Sequence, residues 1–492
     1  MKRTNLLCLL ALLCGLNLMA QQPALRFAEG KFRIAQFTDI HWMPGSPKCD
    51  TTAATIRAVL RAERPQLAVL SGDVVTGDPA TEGWKRIITL FEEEQMPFAV
   101  TMGNHDAEYL TKDSIYTLLL KSPWFVGEKG PKEIGGLGNC VVPILGTKGQ
   151  ADIQEADRHP QALLYLIDSN DYQPRKLLGH YDWVHFDQIA WYRNESRRYT
   201  ALNGGQPLPA VAFFHIPLTE YDAVARHEEC YGRFLEGAVA SPDINSGLFA
   251  SMVDKQEVMA TFCGHDHDND FIGLHLGMAL GYGRVTGAEA YGELKRGARI
   301  IELYEGQRRF DSWITTPEGR EEAWYYPSAL NGVEERTMTY LPALQPQRPA
   351  AKLKPGVAYT YYEGKCKKVE QIAACRVVKR GVMPVPSIAE AAAEDHFAYE
   401  FRALIDIPQR GVYRFYTYSD DGSVLLIDGT KVVDNDGGHS ARRAEGKVAL
   451  EAGLHELTIH YFEDYMGQAL EVGYSSRDIQ ETPLPASILF QP

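Results

Sequence analysis

Between residues 27 and 314, short apolar runs alternate with stretches whose apolar residues recur at helical spacing. Residues 32–37 read as a strand. Residues 51–63 read as a helix with Ile56, Val59 and Leu60 on one face. A strand at 67–70, a helix at 83–94 and a strand at 97–101 continue the alternation, and further strands are expected at 162–167, 210–214 and 258–262. Strands and helices in this βαβαβ order predict a layered α/β domain whose sheet is buried between helices. Residues 342–355, with Pro342, Pro346 and Pro349 and no periodicity, read as linker. Beyond them the pattern changes to short strands at 399–403, 412–416, 423–427, 431–433 and 457–461, punctuated by Gly422, Gly429, Gly437, Gly438 and Gly453. That pattern predicts a separate all-β sandwich. The expected division is a first domain at 27–315, a connection at 316–352 and a second domain at 353–492.

The length of 492 residues allows two sizeable cores. A formal net charge of -14 argues against a general nucleic-acid or anionic-membrane binder, because phosphate neutralisation needs Lys and Arg. After the N-terminus no apolar run approaches the length of a membrane span. Lys2 and Arg3 precede an apolar run at 6–18, and Ala20 stands before a cut ahead of Gln21. Residues 1–20 are therefore expected to be a signal peptide, and the mature chain to be periplasmic or secreted. Cys8 and Cys14 would leave with it. The remaining six cysteines are too scattered for a disulfide-dense scaffold, although Cys366 and Cys375 are close enough to pair.

Five polar motifs change the picture, because each follows an apolar run. They are Asp39-Ile40-His41, Gly72-Asp73, Gly103-Asn104-His105-Asp106, His215 after Phe213-Phe214, and Gly264-His265-Asp266-His267. In open α/β sheets, ligands gather outside the carboxyl ends of strands. Asp, Asn and His side chains collected there suffice for a two-metal hydrolytic centre, and such donors suit Zn, Mn or Fe. Asp73, after a Gly that permits a tight turn, is the candidate bridge between two ions.

In this order the motifs resemble the calcineurin-like metallophosphoesterases, over roughly the first two-thirds of the mature chain. The resemblance implies a four-layer αββα sandwich and a bridging hydroxide as nucleophile. It implies one metal on Asp39, His41 and His267, a second on Asn104, His215 and His265, and Asp73 shared by both. His105 would contact phosphate and assist the leaving oxygen, with Asp106 orienting it. A narrower resemblance, to the purple-acid-phosphatase-like branch, rests on Leu166-Ile167-Asp168-Ser169-Asn170-Asp171-Tyr172, Tyr181-Asp182-Trp183, Phe213-Phe214-His215-Ile216-Pro217, Asn245-Ser246-Gly247 and the run from Gly264 to Phe271. True purple acid phosphatases place a Tyr ligand three residues after the bridging Asp. Thr76 stands there in this chain, so an iron–tyrosinate centre is not expected. Arg284, in Gly281-Tyr282-Gly283-Arg284, is a candidate phosphate contact, and Asp168 and Asp171 read as loop supports.

From residue 353 onward the chain resembles the protective-antigen-type β-sandwich. The resemblance is carried by Gly411-Val412-Tyr413-Arg414-Phe415, Ser419-Asp420-Asp421-Gly422-Ser423, Ile427-Asp428-Gly429 and Asp434-Asn435-Asp436-Gly437-Gly438-His439. Some members bind sugar through a calcium held by adjacent aspartates, which makes Asp420 and Asp421 candidate calcium or glycan ligands. Turn chemistry explains the same Asp-Asp-Gly more simply. The reading is an exported phosphoesterase with two divalent or trivalent ions (Mn, Zn or Fe), a phosphate-ester substrate, and a glycan or cell-surface polysaccharide as partner of its second domain. A phosphodiesterase or nucleotidase on the same centre, and an inactive carbohydrate-binding protein, are the alternatives.

Overall fold

The computed structural model describes residues 23–147, 159–344 and 353–492; the expected signal peptide lies outside the described residues. The first half of the α/β domain runs β1 (Lys31–Thr38), α1 (Lys48–Glu63), β2 (Leu67–Ser71), α2 (Ala80–Glu93), β3 (Phe98–Thr101) and α3 (Lys112–Leu119). β1, β2 and β3 pair in parallel, as the βαβαβ order requires. Then follow β4 (Cys140–Leu145), β5 (Pro160–Leu166), α4 (Phe186–Leu202), β6 (Ala210–Phe213), α5 (Tyr221–His227), β7 (Cys230–Tyr231), α6 (Leu248–Lys255), β8 (Val258–Cys263), β9 (Ile272–His275) and β10 (Met278–Tyr282). Their strands form a second sheet in the order β4-β5-β6-β8-β10-β9-β7. The chain returns to the first sheet through β11 (Arg284–Val285), β12 (Ala298–Tyr304) and β13 (Phe310–Thr316).

Alternation along the strands explains the four layers. In β1, Phe32 and Ile34 face the second sheet and meet its Leu164, Phe213 and Phe262. Ala35 and Phe37 point the other way, beneath Ile56, Val59, Trp84 and Ile87 of α1 and α2. On the far side, Tyr192 and Met252 of α4 and α6 cover Leu163, Ala212 and Leu280. Strands buried on both faces read as continuous apolar runs, which is why the sequence located them.

The connection expected at 316–352 is folded up to residue 344. β14 (Gly319–Arg320), β15 (Trp324–Tyr326) and β16 (Leu330–Asn331) extend the first sheet beyond β13. α7 (Gly332–Thr337) is capped by Asn331, whose side chain accepts from the Glu334 N–H. β17 (Tyr340–Leu341) pairs in parallel with a strand of the second domain. Strands of two or three residues carry no readable period, so their apolar positions looked like linker.

The second domain contains β18 (Val357–Glu363), β19 (Arg376–Met383), β20 (Phe397–Ile407), β21 (Gly411–Asp420), β22 (Ser423–Ile427), β23 (Thr430–Asn435), β24 (Arg442–Leu450), β25 (Gly453–Glu463) and β26 (Ala469–Ser476). One sheet carries β24-β21-β26 and the other β19-β18-β20-β25-β22-β23. Every second residue of β20, from Phe397 through Tyr399, Phe401, Ala403 and Ile405 to Ile407, enters the core between them. Cys366 and Cys375 do come together, with sulfurs 3.0 Å apart. The two domains are pinned to each other. β17 joins β24, Glu229 pairs with both Arg414 and Lys447, and Arg309 and Arg477 reach Asp478 and Asp311 at 2.8 and 3.0 Å.

Candidate metal centre

The five motifs occupy the turns after β1, β2, β3, β6 and β8, where the strand ends of both sheets meet. Aiming side chains back across that seam forces unusual backbone. Asp39, His41, Asp73 and His265 have φ of 51°, 45°, 50° and 82°, which L-residues adopt only at a cost. The glycines are needed for close approach. A Cβ on Gly72 would fall 2.3 Å from His215 Nδ1, and one on Gly264 would fall 1.8 Å from Thr38 Oγ1.

The side chains form two groups, Asp39 with His41 and His267, and Asp73 with His215 and His265; within each, the donor atoms lie within 4.8 Å of one another. His267 Nε2 is 3.3 Å from Asp39 Oδ1, and His215 Nε2 is 3.2 Å from Asp73 Oδ2. The same Asp73 oxygen is 3.7 Å from His41 Nε2, so this carboxylate stands between the groups. Asn104, on the turn after β3, donates through Nδ2 to the Tyr172 hydroxyl at 2.8 Å.

The fit to metal ions rests on atoms left over. His41 Nε2, His215 Nε2, His265 Nε2, His267 Nδ1 and Asn104 Oδ1 are buried with no hydrogen-bond partner among the described residues. Buried polar atoms normally find partners, because an unpaired one costs about 1–3 kcal/mol. The His41, His215 and His265 imidazoles among them belong to the two groups around Asp39 and Asp73, as donors that share metal ions would; His267 faces Asp39 through Nε2 instead. The outer contacts fix them in place. His215 Nδ1 lies 2.8 Å from the Ser71 carbonyl, which turns Nε2 toward Asp73. Thr38 Oγ1 donates to Asp39 Oδ2 at 2.8 Å, and the His105 N–H donates to Asp73 Oδ1 at 2.9 Å.

Burial and charge pairing compete within the group. Burial alone would raise the Asp39 carboxyl, but the facing His267 and His215 imidazoles hold it down at about 2. Burial is likewise overcome at Asp73, by His215 above all, and its carboxyl lies well below the usual range. Burial would also strip the His215 proton, yet Asp73 and Asp39 raise that imidazole to about 10. Burial dominates at His41 and His265, lowered to about 4 and about 3, so both are neutral donors at physiological pH.

Asp106 does not orient His105. Its carboxylate accepts the N–H groups of Val74, Val75 and Gly103 at 2.8, 3.1 and 2.8 Å, and so ties the turn after β3 to the turn after β2. Burial, with Asp73 nearby, pushes this carboxyl up to about 7. Glu108 is the partner of His105, with Oε1 2.6 Å from Nδ1. Arg284 is not a phosphate contact. Its buried guanidinium binds Asp270 Oδ2 through Nε at 2.9 Å and through a second nitrogen, and it also reaches Glu321 and the Lys295 carbonyl. Asp168 is a loop support as expected, accepting from Lys112 Nζ and the Leu137 N–H.

Sequence reasoning missed Glu108, although its spacing three residues after His105 was available, and it gave no role to Tyr172, Tyr181 or Tyr291. Tyr181 meets His265 edge-on at 4.5 Å, and Tyr291 stacks on His267 at 3.8 Å. In the second domain, Asp420 and Asp421 are joined by Glu463, which the sequence did not single out. Burial, reinforced by Asp421 and Asp420, pushes the Glu463 carboxyl up to about 8. The outer Asp421 contacts are turn chemistry: its oxygens accept the His439 and Asp464 N–H groups at 2.8 and 2.9 Å.

Comparison with known proteins identifies the families of both domains. Residues 32–269 match the calcineurin-like phosphoesterase family and residues 353–487 match the PA14 domain. The Arabidopsis thaliana protein named "Probable inactive purple acid phosphatase 29" is 31% identical over 325 residues, which cover 60% of this chain and 82% of that protein. "Phosphatase DCR2" of Saccharomyces cerevisiae is 27% identical, over 62% of this chain and 57% of its own length. Among solved structures, a PA14 sugar-binding domain from an RTX adhesin is 17% identical, with a TM-score of 0.25 over 28% of this chain and 99% of that one. The chain belongs to the calcineurin-like phosphoesterase family, with purple-acid-phosphatase-like relatives, and carries a PA14 domain at its C-terminal end.

Proposed function

We propose that this chain is an exported, metal-dependent phosphoesterase whose PA14 domain holds it on a glycan or cell-surface polysaccharide. The observation that carries the reading is the set of unpartnered buried donors around Asp73. Bound there, a pair of Mn, Zn or Fe ions would neutralise phosphate oxygens and acidify a water. The chain supplies the rest. Asp39, His41 and His267 would hold one ion, Asn104, His215 and His265 the other, and Asp73 would be shared. His105 lies at the mouth, its side chain 35% exposed, with Glu108 on Nδ1. That contact directs Nε2 toward the centre, from which a protonated imidazole can give its proton to the leaving oxygen. His105→Ala is expected to lower kcat by about 10²-fold or more on alkyl phosphates. The loss should be much smaller on p-nitrophenyl phosphate, whose leaving group departs unaided. Glu108→Gln should show the same bias at smaller size. Equal losses on both substrates would remove His105 from the proton transfer.

The direct test loads the purified protein with Mn, Zn or Fe in turn and assays aryl phosphate monoesters and diesters. A diester preference would select the phosphodiesterase alternative. Bound metal without any hydrolysis would favour the second reading, an inactive carbohydrate-binding protein, which the names of several relatives invite. Three carboxylates at Asp420, Asp421 and Glu463 favour calcium in the PA14 domain. A glycan array should therefore show binding that EDTA and the Asp420→Asn, Asp421→Asn double variant both abolish. No binding with calcium present would retire the glycan role.

A further inference from the structure

Residues 171–182 form an arm at the mouth of the centre. Its limbs run antiparallel at the root, where Tyr172 bridges Tyr181, the Gln173 N–H donates to the His180 carbonyl and the Asp182 N–H to that of Asp171, both at 2.9 Å. Lys112 Nζ clamps the root against Asp168 and Asp171, each at 2.9 Å. A root fixed this way holds two rings at defined positions. Tyr172 and Tyr181 stack at 5.9 Å and 25°. Tyr181 abuts His265, and Tyr172 meets His105 edge-on at 6.1 Å. The Tyr172 hydroxyl accepts from Asn104 Nδ2 and lies 3.4 Å from His105 Nε2. The hydroxyl thus links Asn104 to His105 and fixes the Tyr172 ring beside the centre. On the His267 side, Tyr291 is 58% exposed. Glu108 and Asp171 stand partly exposed at the margin, and the arm also carries the exposed Arg175 and Lys176, so the charge around the rings is mixed.

We propose, resting on the phosphoesterase reading, that the arm makes this centre selective for phosphate esters of uncharged ring alcohols, with the ring packed on Tyr172 and Tyr181. Aromatic faces reward a planar aryl ring or the C–H face of a pyranose joined directly to the phosphate, a feature that glycerol 2-phosphate and ATP lack. Phenols and sugars offer the same ring face, and the assay separates them. The metal-loaded full chain is given phenyl phosphate, glucose 1-phosphate, glycerol 2-phosphate and ATP. Wild type should show kcat/KM at least about tenfold higher on one or both ring esters than on glycerol 2-phosphate or ATP. Tyr172→Leu should collapse that ratio about tenfold, whereas Tyr172→Phe, which keeps the ring, should preserve the ratio while lowering all rates. Metal content by elemental analysis confirms that the centre survives in each variant. Binding of the same four esters by calorimetry gives the same comparison independently of turnover. If nothing is hydrolysed, the catalytic reading falls, and the ring preference in binding still decides the arm. Equal kcat/KM on all four esters in wild type, equal affinities, or a ratio unchanged in Tyr172→Leu would overturn the proposal.

Discussion

Asp73→Asn is expected to remove at least one metal ion per chain and to lower kcat by about 10³-fold or more, since several kcal/mol of charge stabilisation depend on the centre and each 1.36 kcal/mol is tenfold. The substitution is nearly isosteric. An Asn at this position keeps an acceptor for the His105 N–H, so the turn after β3 stays in place. What it loses is the charge that stands 3.2 Å from His215 Nε2 and 3.7 Å from His41 Nε2. Elemental analysis and kcat measured together decide the matter: two ions retained at the wild-type rate would exclude Asp73 as the shared ligand. A second readout follows from the raised His215. Without metal it carries a proton below about pH 10, held there against burial by Asp73 and Asp39. A metal can take Nε2 only after that proton leaves, so loading wild type at pH 7 should release about one proton at this position. Asp73→Asn removes the carboxylate that keeps the proton on and should release less. Calorimetry in buffers of different ionisation enthalpy measures the difference.

The parts legible in the sequence share a physical cause. β1, β2, β3, β6 and β8 are covered on both faces, so they appear as unbroken apolar runs, and their polar ends stand out against them. The seven expected ligands come from those ends, and six of them fall into two groups, Asp39 with His41 and His267, and Asp73 with His215 and His265. The illegible parts depend on long-range choices of partner. Asp106 is adjacent to His105 in the chain, yet its carboxylate turns to Val74 and Val75, about thirty residues away. Glu108 takes the contact because a residue three positions on in a tight turn faces back over His105. Tyr172 and Tyr181 reach the centre only because the 171–182 arm folds on itself. Glu463 joins Asp420 and Asp421 from β25, a different strand of the sandwich, with no local signal. β14 to β17 fail for another reason: each is too short to display a period.

Arg284 shows how far a single polar residue can mislead, and it carries the second large expected effect. Arg284→Ala should destabilise the protein by about 3 kcal/mol, because removing one partner of a buried ion pair strands the other charge. On a domain of this size that shifts Tm by about 4–6 °C. Asp270 is the stranded group. Its side chain is fully buried, and after the substitution its nearest remaining guanidinium is that of Arg233 at 3.2 Å, which is 42% exposed. Arg299 lies beside it but binds the Asp270 carbonyl and Ser312, so it cannot turn to the carboxylate without breaking those bonds. Asp270 closes the loop that begins at His265 and His267, so metal retention should weaken together with Tm. A phosphate contact would behave in the opposite way. Its loss would raise KM and leave Tm and metal content alone. Thermal melting, elemental analysis and KM on one preparation therefore separate the two roles. An unchanged Tm with a raised KM would return Arg284 to the substrate.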